Sequence, residues 1–257
     1  MSKRISYILP FGTTIYTDLI AETLAPYAGA ETELVVSNIE GAPASTESFY
    51  AKHLTEEAVF DSVMKAEKNS FDAVIIGCAY DPGVRAAREM VDIPVVGVTE
   101  ASLQFAPYFG FDTALVTDAI KAVPYIRDMV RVFGADTLCR AVSCIQWHTT
   151  LRTDPDDVVE DMVTACRDVM EQSKAESVIM GCTLIAGYYE RRLRRTGEKR
   201  DFRILNPNTL ALKAAESLAD LRKQGLYQIN RRGFYESPPK ENPSAFADLR
   251  KTFGRTY

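Results

Sequence analysis

Phe71-Asp72-Ala73-Val74-Ile75-Ile76-Gly77-Cys78 and Glu176-Ser177-Val178-Ile179-Met180-Gly181-Cys182 are two short apolar runs, each closed by Gly-Cys. Each is continuously apolar, rich in β-branched residues and preceded by an amphipathic helical pattern. That is how a strand buried on both faces of a parallel sheet reads. Each Gly-Cys therefore stands where a parallel strand gives way to a loop, and in open α/β sheets ligands bind at that carboxyl edge. Two thiols placed alike in two related halves would face one cleft. Such a geometry suits moving a proton on and off one carbon from opposite sides.

Outward from these runs, strand and helix patterns alternate along the whole chain, which predicts an α/β fold with mainly parallel strands. In the first half strands are predicted at Ile5 to Leu9, Glu33 to Ser37, Phe71 to Gly77 and Pro94 to Val98. Helices are predicted near Tyr16 to Leu24, Glu56 to Lys68 and from Asp81-Pro82-Gly83 to Met90, with an exposed polar loop from Asn38 to Ser48. The order then begins again: strands at Thr113 to Val116, Ser177 to Gly181 and Arg203 to Leu205, and helices at Ala122 to Phe133, Asp157 to Gln172 and Thr209 to Arg222. Equivalent features recur near 5 and 113, 78 and 182, and 94 and 203. Such a repeat predicts two similar α/β lobes with a cleft between them. The first lobe is assigned residues 1–98 plus 211–257, and the second 99–210. Beyond Gln224 the periodicity fades into Asn230-Arg231-Arg232-Gly233-Phe234-Tyr235-Glu236-Ser237-Pro238-Pro239, read as a surface strap or a partly disordered end. An arm packing on a neighbouring subunit is the functional alternative.

The bulk numbers exclude several classes. A chain of 257 residues, 46% apolar and 25% charged, is an ordinary globular protein with room for a sizeable core. A net charge of −5 offers no footprint for nucleic acid. No apolar stretch approaches the roughly 20 residues a membrane helix needs. Met1-Ser2-Lys3-Arg4 runs straight into a strand, without a signal-peptide core. Five cysteines, an odd number without tight spacing, make no disulfide framework and point to a reduced, cytoplasmic protein.

A thiol can both take and give a proton: its ordinary pKa of about 8.5 leaves some thiolate near neutrality, and a helix N-terminus enlarges that fraction. Asp81-Pro82 after Cys78, and Thr183 after Cys182, can each open a helix whose N–H groups hold a carboxylate or an enolate oxygen. Cys78 and Cys182 are therefore the catalytic candidates. Ala79 and Tyr80 behind the first cysteine, Thr183 behind the second, and Thr117 at the end of the first strand of the second half are substrate-binding candidates. So are Pro10, Thr13 and Thr14 in the first loop. Core packing remains the alternative reading of each Gly-Cys taken alone.

Other constellations are weaker. Cys139, Cys144 and His148 have a C-x4-C-x3-H spacing, but a closed zinc site needs four ligands, and neither His53 nor Cys166 is placed to supply the fourth. The segment reads as a loop and strand carrying core cysteines, with Trp147 and His148 alternatively lining the cleft. No serine sits in a nucleophile elbow and no glycine-rich nucleotide fingerprint appears. Arg191-Arg192-Leu193-Arg194-Arg195 reads as a solvated helix face. No metal or organic cofactor is expected, and the partner is a small-molecule substrate.

Gly77-Cys78-Ala79-Tyr80-Asp81-Pro82-Gly83, followed by Pro94-Val95-Val96-Gly97-Val98-Thr99-Glu100-Ala101-Ser102, resembles the Asp/Glu/hydantoin racemase superfamily, and within it the hydantoin racemase branch. Met180-Gly181-Cys182-Thr183 with Ala186-Gly187 is similar to the second motif, and Arg232-Gly233-Phe234-Tyr235 with Pro238-Pro239 to the branch's C-terminal end. The resemblance implies two pseudo-symmetric three-layer α/β lobes with the active site between them. It also implies cofactor-independent two-base racemisation by Cys78 and Cys182, and frequent homo-oligomers. Its substrates would be 5-substituted hydantoins or allantoin. The chain departs from the branch in the loop after the first strand, where Leu9-Pro10-Phe11-Gly12-Thr13 replaces an Asn-Pro-Asn-Thr type sequence. Rival readings keep the scaffold: aspartate/glutamate racemisation, maleate-type cis–trans isomerisation, decarboxylation of a malonate-like acid, or ligand binding without catalysis.

Overall fold

The computed structural model describes residues 2–44, 48–147 and 155–254. Two parallel sheets of four strands organise them. The first has the order β2 (Thr32–Asn38), β1 (Lys3–Leu9), β3 (Ala73–Ile76), β4 (Val95–Gly97). The second has β6 (Cys139–Cys144), β5 (Thr113–Thr117), β7 (Ser177–Gly181), β8 (Ile204–Leu205). The same strand order in both halves is the structural form of the sequence repeat. The central strands are held on both sides. Ile8 pairs with Ser37 and Ile76, and Thr117 with Cys144 and Gly181.

Because the side chains of a strand alternate between faces, each sheet feeds two cores. In the first sheet Ile8, Val74, Ile76 and Val95 pack under α2 (Phe49–Lys68) and α3 (Val84–Met90). Ile5, Tyr7, Leu9, Ala73 and Ile75 point the other way. In the second sheet Leu115, Ile179 and Leu205 pack with α5 (Ala122–Val132) and with Leu103 of α4 (Val98–Phe105). Ala114, Val116, Val178 and Met180 join the same central cluster as Ile5, Tyr7 and Leu9. Helices α1 (Thr17–Leu24), α6 (Pro155–Ser173), α7 (Thr183–Thr196) and α8 (Pro207–Lys223) complete that cluster, α1 against α7 and α6 against α7. One apolar core thus runs through both sheets. After β8 the chain returns: α8 packs on β1, β3, β4 and α4.

Several elements differ from the sequence expectation. Helix α2 begins at Phe49, well before the expected Glu56, because Ser48 caps it there, its Oγ accepting the Ala51 N–H at 3.1 Å. Helix α4 follows β4 without a loop. The tail forms two helices, α9 (Pro238–Glu241) and α10 (Pro243–Thr252). It lies on its own chain. Arg231 donates to the carbonyls of Arg88 (2.8 Å) and Glu89 (3.3 Å) at the end of α3 and pairs with Asp92 at 2.8 Å. Arg250 pairs with Asp61 on α2. The arginine run on α7 is a surface face, with Arg191, Arg192 and Arg195 paired to Glu22, Glu160, Glu198 and Asp156.

Candidate active site

Cys78 and Cys182 occupy equivalent places past β3 and β7. The Cys78 N–H donates to Ile76 O at 3.0 Å, and the Cys182 N–H to Met180 O at 2.8 Å. Both thiols are free and buried, and both belong to the central cluster with Phe11, Ala79, Ile145, Trp147 and Leu184. Their glycines are fixed by close approach. A Cβ on Gly77 would lie 2.1 Å from the Tyr7 ring, and one on Gly181 would lie 2.6 Å from the Leu115 side chain. Thr183 ties the two cysteine loops together, its hydroxyl donating to Gly77 O at 3.1 Å. Beneath it Asn208, in the first turn of α8, donates to Thr183 O at 2.8 Å and accepts from Tyr7 OH at 2.7 Å.

Burial pushes the Cys78 thiol up to about 12, the Tyr80 N–H that donates to its sulfur opposes this, and the charges of Asp118 and Asp81 add to the rise. Lys52 pulls it back. Cys182 is also pushed up, by burial first and Asp118 second, against N–H groups of Ile185 and Leu184 at the start of α7. Cys78 raises Cys182 further, so the two thiols feel each other as well as the same carboxylate.

That carboxylate is anchored by a chain of hydrogen bonds joining the loops of the two sheets. Tyr80 OH donates to Asp118 Oδ1 at 2.7 Å, and Thr117 Oγ1 donates to the same oxygen at 3.0 Å. Tyr80 O accepts from Tyr125 OH at 3.1 Å, and Tyr125 OH accepts from the buried Lys52 Nζ, which also pairs with Glu56 at 3.2 Å. Tyr80 thus uses its N–H on the thiol, its carbonyl on α5 and its hydroxyl on the second sheet.

The remaining candidates fall around this centre. Ala79 is buried, its carbonyl accepting from Thr99 Oγ1 at 2.6 Å. Pro10 is buried, Thr13 half-buried and Thr14 exposed, in a loop where Thr13 Oγ1 accepts the Ile15 N–H at 3.3 Å. Thr117 is buried, and its carbonyl accepts the Ile145 N–H at 3.0 Å. Trp147 is buried in the cluster, its N–H donating to Asp118 O at 2.9 Å. Asp81 turns back with a positive φ of 44°, and its carboxylate accepts the Thr99 and Glu100 N–H groups that open α4. Cys139 and Cys144 bound β6, His148 lies outside the described residues, and among the described residues no cluster of three or more His, Cys, Asp or Glu suits a metal. Cys166 is buried in α6. Sequence reasoning missed Asp118, Tyr7, Asn208, Lys52 and Tyr125. Only Asp118 carried a signal, as the residue following a strand that ends at the sheet's carboxyl edge.

The fold is shared with known proteins. The chain is 29% identical to an allantoin racemase structure from Pseudomonas fluorescens, with a TM-score of 0.79 over 93% of this chain and 98% of that one. It shares its fold with an allantoin racemase from Klebsiella pneumoniae at 21% identity, with a TM-score of 0.82 over 93% and 95% of the two chains. In sequence it is 26% identical over 253 residues to a hydantoin racemase of Pseudomonas sp. (strain NS671), covering 98% of this chain and 97% of that protein. No helix among the described residues is long and apolar enough to cross a membrane. The pattern of the Asp/Glu/Hydantoin racemase family matches residues 5–215. With both Gly-Cys strand ends and all but the first two residues of the two four-stranded sheets inside that span, the chain belongs to this family and is an isomerase of the racemase type.

Proposed function

We propose that this racemase uses Cys78 and Cys182, without a cofactor, as acid and base on a carbon next to a carbonyl, in a small amino-acid-derived substrate of the hydantoin or allantoin type. The observation that carries this reading is the matched pair of buried free thiols at the ends of β3 and β7, within one cluster and under one carboxylate. Since each thiol is held up and Cys78 raises Cys182, the second ionisation of the pair is harder than the first. One thiolate beside one thiol is the charge state that two-base racemisation uses. The thiolate takes the proton from the carbon, and the bonding electrons pass into the carbonyl to give an enolate. The opposite thiol then delivers its proton to the other face and is left as thiolate, ready for the other enantiomer. Five free cysteines fit a reducing cytoplasm as its setting.

Single-enantiomer 5-substituted hydantoins and allantoin, incubated in D2O and followed by polarimetry and NMR, test the reading. Cys78→Ser and Cys182→Ser are each expected to abolish racemisation, by at least about a thousandfold, because proton transfer on one face stops. Each variant is expected to retain deuterium wash-in for one enantiomer only, the two variants serving opposite enantiomers. Cys139→Ser, Cys144→Ser and Cys166→Ser keep turnover. Wild-type racemisation by either Cys78→Ser or Cys182→Ser removes that thiol from the mechanism.

A further inference from the structure

Asp118 takes no part in the two-thiol scheme, yet its charge acts on both thiols. It is the first residue beyond β5, at the carboxyl edge of the second sheet, in the place that Pro10 holds beyond β1. Its backbone is pinned by the Trp147 N–H and its Oδ1 by Tyr80 and Thr117. Both hydroxyls converge on that one oxygen. Among the described residues nothing donates to Oδ2, and no lysine or arginine pairs with the carboxylate. Asp118 is half-buried, so water can serve the open oxygen in the free protein, and a substrate that displaces this water has to bring a donor in its place. A carbon flanked by a carbonyl and by an amide or ureide N–H brings that donor. A carbon bearing a free carboxylate instead sets like charge against like.

We propose that Asp118 is a specificity-determining residue, its open oxygen accepting a hydrogen bond from an N–H next to the reacting carbon, so that the cleft takes neutral amide- or ureide-bearing substrates and disfavours free α-carboxylates. The proposal rests on the racemase reading of the same site and adds the residue that selects for that substrate class. Tyr80 gains a second role from it, because the hydroxyl that bridges the lobes turns the open carboxylate oxygen toward the substrate.

Asp118→Asn is the decisive variant. Its amide keeps an acceptor for Tyr80 and Thr117 and presents N–H donors where Oδ2 stood, donor facing donor. Binding is measured on proteins that cannot turn over: the double variant Cys78→Ser/Cys182→Ser with and without Asp118→Asn. The ligands are a 5-substituted hydantoin and allantoin against aspartate, glutamate and phenylmalonate, read by calorimetry. Loss of a charge-assisted bond is expected to weaken the ureides about ten- to hundredfold while the carboxylates bind more tightly. In the catalytic protein the same change raises KM for the ureides more than it lowers kcat. It also moves the rising limb of kcat/KM to lower pH, because the charge that holds both thiols up is gone. Unchanged affinities for both classes overturn the proposal. So does parallel weakening of both classes with a fall in melting temperature, or a parent protein that binds carboxylates as tightly as ureides. If the wild type exchanges no α-proton in any ligand, the racemase reading fails on its own, and the affinity comparison still decides Asp118.

Discussion

Gly77 shows how a single residue without a side chain sets the site. The Tyr7 ring, fully buried, fills the space a Cβ would take, and its hydroxyl reaches Asn208 beneath Thr183. Gly77→Ala therefore forces the ring aside or moves the loop that carries Cys78. The expected cost is that of overpacking a tight core, about 1–3 kcal/mol. In a chain of this size that lowers the melting temperature by about 2–4 °C per kcal/mol, and turnover falls with the shift of the thiol. A melting curve and rate equal to wild type would refute this role for the glycine. The two cysteines and Gly77 were legible in the sequence because each sits inside one continuous pattern: strand, glycine, thiol. Tyr7, Lys52 and Asn208 were not, because their partners lie far along the chain: Asn208 is 201 residues from Tyr7, and Tyr125 is 73 from Lys52. A hydrogen bond across such a separation leaves no local periodicity. Asp118 lies between these cases, since its position at a strand end is visible and its bond to Tyr80 is not.

Among the elements, α4 departs furthest from the local sequence pattern. Pro94 to Val98 reads as a strand, and nothing after it signals a helix, since Gly97 precedes α4 in extended conformation with no side chain to cap it. The cap comes from elsewhere: Asp81, in the turn that closes on Cys78 O, accepts the N–H groups of Thr99 at 3.1 Å and Glu100 at 2.9 Å. A cap donated by a residue eighteen positions away is invisible to a reading that looks for Ser, Thr, Asp or Asn just before the helix. Its burial has a consequence for pH. Desolvation lifts Asp81 to about 7 from 3.8, against the pull of those two N–H groups and of Arg88. Between these values the folded protein holds a proton that the unfolded chain releases, so stability falls as pH rises through that window. Asp81→Asn, with a side chain that no longer ionises, is expected to flatten the fall in melting temperature between about pH 4 and 7. An identical slope in mutant and wild type would place the titration on another group. The same blindness to distant partners hid the folding of the tail, whereas the start of α2 carried a local signal in its Ser48 cap. Arg231 reads as one more basic residue until its guanidinium is seen to close the carbonyl end of α3.

At the scale of the molecule, the repeat visible in the strand spacing became two sheets of identical strand order, but it gave no warning that they share a core. A continuously apolar run says that a strand is buried on both faces, not which partner covers each face. The inward faces of both sheets meet in one cluster through α1, α6, α7 and α8, and the cysteines sit at its edge. Helix α8 leaves the second sheet at β8 and packs on the first, while its Asn208 joins Tyr7 of β1 to the Thr183 carbonyl of α7. Separating the halves would expose that cluster and break this bridge together. Unfolding one lobe alone therefore sacrifices much of the apolar burial of the other, and the chain is expected to unfold in one cooperative step despite its length. Trp147, the single tryptophan, is buried within the shared cluster that also holds both cysteines, so its fluorescence reports that cluster. Far-UV ellipticity weights the helices of both halves. In urea the two probes are expected to trace one transition with a common midpoint and slope. A fluorescence transition that precedes the loss of ellipticity would mean that the cluster opens before the sheets melt. The two thiols would then be held in register by local loop contacts such as Thr183 to Gly77 rather than by the shared core.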